Sequence, residues 1–135
     1  MRFIRKVVLA TSKESALSKL ASIPALKGQQ YANDKDYIPA KKFFKINFNR
    51  PYAKYWIGQK DKTGTIENVS IDDLIAGQSG LDRDLIASLI KSGYTTLPVV
   101  VRYKGLNYIS DGHHRIVAAK LLGQHSVKVK LVELP

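Results

Sequence analysis

The stretch Tyr108-Ile109-Ser110-Asp111-Gly112-His113-His114-Arg115, continued by Ile116-Val117-Ala118-Ala119-Lys120-Leu121-Leu122-Gly123, decides how this chain is to be read. An apolar run closes in a polar turn, and a helix-forming segment follows with Gly123 as its stop. The pattern predicts a strand over 106–110, a loop over 111–114 and a helix from about Arg115 to Leu122. The first N–H groups of a helix lack intrahelical acceptors and lie at the positive end of the dipole, which suits an anion. Gly112 lets the backbone approach a phosphate with no Cβ between them. Arg115 offers a planar fork of donors to phosphate oxygens. His113 and His114 add donors, or one of them moves a proton near neutral pH. Asp111 would cap the helix or hold a divalent metal. Chemistry alone leaves open a plainer alternative, a capped helix start with an exposed pair of histidines.

Outward from this turn, Leu97–Tyr103 reads as a buried strand, Lys104-Gly105 as a hairpin turn and Val127–Val132 as a closing strand. Upstream, Val69 and Ile71 form a short strand and Asp72-Asp73-Leu74 a turn. Ser79 or Asp82 then caps a helix to about Ser92, with Leu81, Leu85, Ile86, Leu89 and Ile90 on its apolar face and Gly93 ending it. Strand, helix, hairpin, helix and strand make an α+β unit over 67–135, a small mixed sheet flanked by helices. Before it, 2–10 reads as a strand and Ser12 caps a helix to about Ile23. Two aromatic segments follow, Lys42–Phe48 and Tyr52–Ile57; alternation in the first predicts a strand burying Phe44, Ile46 and Phe48. Residues 1–66 are thus expected to be a basic extension packed on the core.

The charge supports that division. The chain has 22 Lys and Arg against 11 acids, a net +11. Residues 1–66 account for +10 of it and residues 67–135 for +1. A basic half beside a near-neutral one points to a polyanion, nucleic acid before an anionic membrane surface. The alternative is a solvated basic face. Lys41, Lys42, Lys45, Arg50, Lys54 and Lys60 surround Phe43, Phe44, Tyr52, Tyr55 and Trp56. Cations interleaved with aromatics suit a groove that follows phosphates and stacks bases, with Lys41, Lys42, Lys45, Arg50, Lys54, Tyr55, Trp56 and Lys60 as its nucleic-acid contacts. The same aromatics could instead be core residues of the strands. The absence of cysteine excludes thiol catalysis, thiolate metal sites and disulfides. No apolar run is long enough to span a bilayer, so a cytoplasmic protein without a membrane partner is expected. Adjacent histidines on a helix point in different directions, which argues against a three-His zinc site.

The motifs carry a resemblance. Leu97-Pro98-Val99-Val100-Val101, the hairpin, Asp111-Gly112-His113-His114-Arg115 and Ala118-Ala119-Lys120-Leu121-Leu122-Gly123 resemble the ParB/sulfiredoxin superfamily, in that order. Val69-Ser70-Ile71-Asp72-Asp73-Leu74 with Gln78 resembles the family's first box, and the likeness covers about 67–133. It implies a single ParB/sulfiredoxin-like domain that binds phosphate or nucleotide at Gly112, His113, His114 and Arg115. Sulfiredoxin chemistry is excluded, because His113 stands where that enzyme has its Cys. Partition proteins carry Gly-Glu-Arg-Arg here and add a helix-turn-helix domain, for which this length leaves no room. Free-serine kinases of the superfamily carry Asp-Gly-His, then His or Thr, then Arg, which this chain matches closely, but Gln78 stands where their catalytic Glu is found. The branch left is the ParB-like nucleases, which include small phage- and plasmid-associated proteins.

The resulting expectation is a nucleic-acid-binding protein, a DNA nuclease or phosphodiesterase with His113, His114 and Asp111 as catalytic groups. ATP or CTP is the candidate nucleotide, and Mg²⁺ the candidate metal, on Asp111 with Glu67 or Asp73. Two other classes remain open: a nucleotide-dependent small-molecule kinase or ATPase, and a non-catalytic binder of DNA or of a protein.

Overall fold

The computed structural model describes residues 12–26, 36–56 and 64–135. The strand expected over 2–10, the residue Lys60 and the end of the second aromatic segment lie outside this range. The chain forms helix α1 (Lys13–Ala21), strands β1 (Tyr37–Pro39) and β2 (Lys45–Ile46), the single turn of helix α2 (Ala53–Trp56), and β3 (Thr65–Ser70). It continues through β4 (Leu74–Ala76), β5 (Gly80–Asp82), α3 (Arg83–Ser92), β6 (Val99–Tyr103), β7 (Leu106–Asp111), α4 (His113–Leu121) and β8 (Ser126–Glu133). Six strands make one sheet in the order β2-β4-β7-β6-β8-β3, and β1 pairs with β5 in a separate ribbon. The β2–β4, β4–β7 and β6–β8 pairs are parallel; β6–β7 and β3–β8 are antiparallel. The architecture is α+β, with a mixed sheet flanked by helices.

Period-two alternation sends side chains to both faces of this sheet. On one face Val100, Ile109, Val127, Val129 and Leu131 meet Leu20 of α1, Ile86 and Ile90 of α3, and Ile116 and Val117 of α4 in one buried cluster. On the other, Val101, Tyr103, Tyr108 and Val132 form a second cluster with Tyr52 and Leu134. The segment after Arg50 therefore lies over this second face. Tyr52 stacks on Tyr108 with ring centroids 5.1 Å apart, and Tyr55 on Tyr103 at 5.5 Å. Residues 12–56 supply Ala16, Leu20, Ile38, Ala40 and Phe44 to the first core, and β2 is a strand of the main sheet.

Several elements differ from the sequence-based expectation. Only Lys45 and Ile46 of the first aromatic segment form a strand; Ala40–Lys42 is a 3₁₀ turn, and Phe48 is 62% exposed. The Asn49 N–H bonds to Asn47 Oδ1, a side-chain turn that ends the strand before Phe48 can point inward. The second aromatic segment begins as a helical turn. Arg50 is left-handed (φ 45°), and Ala53 and Tyr55 donate to the carbonyls of Arg50 and Tyr52. β3 starts earlier than Val69, because β8 offers six residues of antiparallel partner. β4 and β5 were not legible as strands. Leu81 belongs to β5, and Leu85, expected on the buried face of α3, is 43% exposed. The last helix begins at His113, so both histidines lie in its first turn.

Candidate functional site

The start of α4 is shaped by Gly112. Its φ of 98° is left-handed, a region that side chains rarely adopt, and a Cβ there would come within 2.8 Å of the Pro98 ring. Pro98 is itself buried just before β6, so the strand-entry Pro and the turn Gly are one packing unit. Gly112 is also the N-cap, and no side chain caps the helix. Asp111 therefore does not fill the capping role open to it; its carboxylate lies 3.3 Å from the Arg115 guanidinium. Arg115 donates a second bond, 3.0 Å long, to the Thr96 carbonyl. A cation in the first turn opposes the dipole, and Asp111 offsets it.

The two histidines are held from outside the helix. The Gly77 N–H donates to His113 Nε2 at 3.3 Å, and the Asp82 N–H donates to His114 Nε2 at 3.0 Å. A backbone N–H can only donate, so both Nε2 atoms are unprotonated acceptors and each neutral ring carries its proton on Nδ1. His113 is buried and meets Phe44 edge-on at 6.3 Å. Burial, with the neighbouring His114 and Arg50, pushes its pKa down to about 4; Asp111 opposes this only partly. Neither Nε2 is open to take a proton from a substrate while these bonds stand. The β4–β5 loop at Gly77 and the end of β5 at Asp82 are thereby each tied to the first turn of α4.

The same loop brings in Arg50. Its guanidinium donates to the Gly77 carbonyl at 3.2 Å, and a Cβ on Gly77 would lie 2.7 Å from its Nε. Gly77 joins Arg50 on its carbonyl side to His113 on its amide side. Among the described residues no carboxylate pairs with Arg50. Gln78 donates to the carbonyl of Gly80, the first residue of β5.

The structure divides the basic set read from the sequence. Arg50 reaches the α4 turn. Lys54 lies over the Tyr55 ring, 5.1 Å from its centroid, on the second face of the sheet. Lys41, Lys42 and Lys45 are exposed near the β2 edge. Tyr55 packs its ring, tilted, against Tyr103 and has Lys54 over it, while 44% of its surface stays exposed. Trp56 is the last residue of α2. Arg50 was found as one cation among many; its selection rests on Gly77, a loop glycine to which no sequence pattern assigned a partner.

The carboxylates do not converge. Asp111 pairs with Val99, Val99 with Lys130, and Lys130 with Ile66. Glu67 is therefore three strands away, about 14 Å at ordinary strand spacing. Asp73 precedes Leu74, which pairs beside Asn107 at the other end of β7. That places it about 13 Å or more from Asp111. Neither acid completes a metal site with Asp111, a correction to the expected pairing.

With this geometry in hand, the sequence model of the family described as "Antitoxin VapB-like" matches residues 41–135. The chain belongs to that family. The matched range opens at Lys41, so the family unit includes β2, Arg50 and the tyrosine segment as well as the α4 turn. No curated protein matches the chain. Among solved structures it is similar to sulfiredoxin from Arabidopsis thaliana, with 20% identity and a TM-score of 0.46 over 52% of this chain and 86% of that one. No helix of the described residues is long and apolar enough to cross a membrane.

Proposed function

We propose that this VapB-like chain binds nucleic acid, holding phosphate between Arg50 and the first turn of α4, and that it binds without cleaving. The observation that carries the proposal is the pair of backbone-to-imidazole bonds on His113 and His114. Those rings were the candidate proton carriers, and they are committed as acceptors. The cations beside them are not neutralised to the same degree: Arg50 has no carboxylate partner among the described residues, and Arg115 has one exposed acid. The uncapped start of α4 adds N–H donors and a favourable dipole. The likeness of Asp111–Arg115 to the ParB/sulfiredoxin phosphate turn supports the same ligand. A family named for antitoxins supports binding over turnover.

The test is incubation of the full chain with supercoiled plasmid and with a labelled 20-mer, with Mg²⁺ or with EDTA. Expected is salt-sensitive retention with no nicking, the salt dependence reflecting counterion release from phosphates. Arg50→Ala and Arg115→Ala should each weaken retention roughly 10–150-fold, the range of one charge-assisted phosphate contact. Mg²⁺-dependent nicking abolished by His113→Ala would restore the nuclease. No retention even at low salt would end the nucleic-acid reading. A second reading, capture of a toxin protein, is favoured by the family name.

A further inference from the structure

The exposed Phe48 lies on the lip of a groove that the phosphate site does not use. The groove has a volume of about 440 Å³ and is lined by Leu26, Pro39, Phe44, Ile46 and Phe48, with Lys41 and Ser79 as its polar members. It lies at β2, the last strand on that edge of the sheet. Of its two phenylalanines Phe44 is buried, whereas Phe48 leaves 62% of its surface in water. A groove of this size accepts two or three apolar side chains. Its surroundings are cationic: Lys41 lines it, Lys42 and Lys45 are exposed beside it in the chain, and none of the three is in an ion pair with a described residue. The acid nearest in the chain, Asp36, is engaged by Arg83 at 2.7 Å. A nucleic acid would answer the lysines but supplies no aliphatic groups for Leu26, Pro39 and Ile46.

We infer that this groove docks a short apolar segment of a partner protein flanked by carboxylates. Large side chains of the segment enter between Ile46 and Phe48, and its acids face Lys41, Lys42 and Lys45. This site is independent of the nucleic-acid reading, since Arg50 belongs to the α4 turn.

The probe is a random dodecamer library displayed on phage, selected on the full chain and counter-selected on Phe48→Ala. Phe48 is largely solvent-exposed, so this variant should keep the wild-type Tm, which is measured alongside. Expected are peptides with at least two large apolar residues and net negative charge. A synthetic winner should bind Phe48→Ala about 10-fold more weakly, as for a truncated apolar anchor. It should bind the double variant Lys41→Glu, Lys42→Glu about 3–10-fold more weakly, and Arg50→Ala unchanged. The inference is overturned by enrichment of basic or polar peptides, by the absence of any Phe48-dependent binder, or by an oligonucleotide that competes for Phe48. Dimerisation in sedimentation that Phe48→Ala abolishes would assign the groove to a second copy and overturn it equally.

Discussion

Helices α3 and α4 both start directly off a strand, and they treat their first turns in opposite ways. At α3, Asp82 accepts from the N–H groups of Asp84 and Leu85 at 3.0 and 3.2 Å, with Asp84 adding a favourable charge. Those two donors are sealed locally, while the N–H of Arg83, the first residue of α3, goes to the Asp36 carbonyl at 2.9 Å. At α4 the cap is a left-handed glycine without a side chain, and the first turn holds His113, His114 and Arg115 with no acid. The cap that α3 has in its own side chain is missing from α4, whose start is shaped by distant segments: Pro98 packs on the turn, while Gly77 and Asp82 pin the imidazoles. The two starts are also linked, because the residue whose side chain caps α3 offers its N–H to His114. An open helix start held rigid by remote contacts is a suitable place for an external anion.

The largest effect should come from Gly112→Ala. The substitution meets both a left-handed φ of 98° and a Pro98 ring 2.8 Å from the new Cβ. Strain of about 1–2 kcal/mol and overpacking of about 1–3 kcal/mol act together. Denaturant unfolding should show a loss of roughly 3–4 kcal/mol, and an unchanged midpoint would mean that the turn yields easily.

Next comes the pH dependence of His113. Its folded pKa, about 4, is below the ordinary 6.5, so between those values the unfolded chain takes the proton more readily. Stability from this group is complete above pH 6.5, falls as pH drops through the window and is gone below pH 4. The full span corresponds to about 3 kcal/mol. Carboxylates titrate over part of the same range, so the comparison that decides is with His113→Gln, which keeps an acceptor for Gly77 without a titrating ring. The difference between wild type and variant should shrink from pH 7.5 to pH 4.5. Parallel curves would show that His113 is not held neutral.

This contrast also explains what was legible in the sequence. The closed start was readable: Asp82 was a candidate cap because a cap is a local bond, three residues long. The open start reads as a phosphate turn through a resemblance, and the contacts of its members are not legible in the sequence. Asp111 pairs with Arg115 where capping was expected, and the histidines receive hydrogen bonds from residues 32 and 36 positions away. No periodicity encodes such a partner. The hairpin, α3 and the apolar side of β8 followed from alternation and helical spacing. Phe48 did not: alternation over Phe44, Ile46 and Phe48 is a true pattern of the chain, and the Asn47 turn cancels it after two strand residues. Gly77, which organises Arg50 and His113, looked like one more loop glycine.

Removing the closed cap should have a smaller and more local effect. Asp82→Ala leaves two N–H donors of α3 to water and should lower stability by about 1 kcal/mol. The Asp82 backbone N–H persists in the variant, so the pin on His114 should survive and nucleic-acid retention should stay within about twofold. Loss of retention would mean that the two starts are coupled through more than that backbone bond.

The smallest effect on stability, and the sharpest on function, belongs to Asp111→Asn. An exposed pair at i and i+4 contributes about 0.3–0.5 kcal/mol, so the unfolding midpoint should barely move. The consequence for an anion is the reverse of an ordinary loss. Asp111 is two-thirds exposed and places a negative charge beside the donors that a phosphate would use. Neutralising it frees one edge of Arg115 and removes the nearest repulsion, so oligonucleotide affinity should rise about 2–5-fold, most at low salt. If Asp111→Asn instead binds less tightly, the Arg115 fork needs Asp111 to hold it in place, and the open start is organised more rigidly than the stability measurement alone would reveal. If retention is unchanged while Arg50→Ala abolishes it, the phosphate lies on the Gly77 side of the turn and Arg115 is structural.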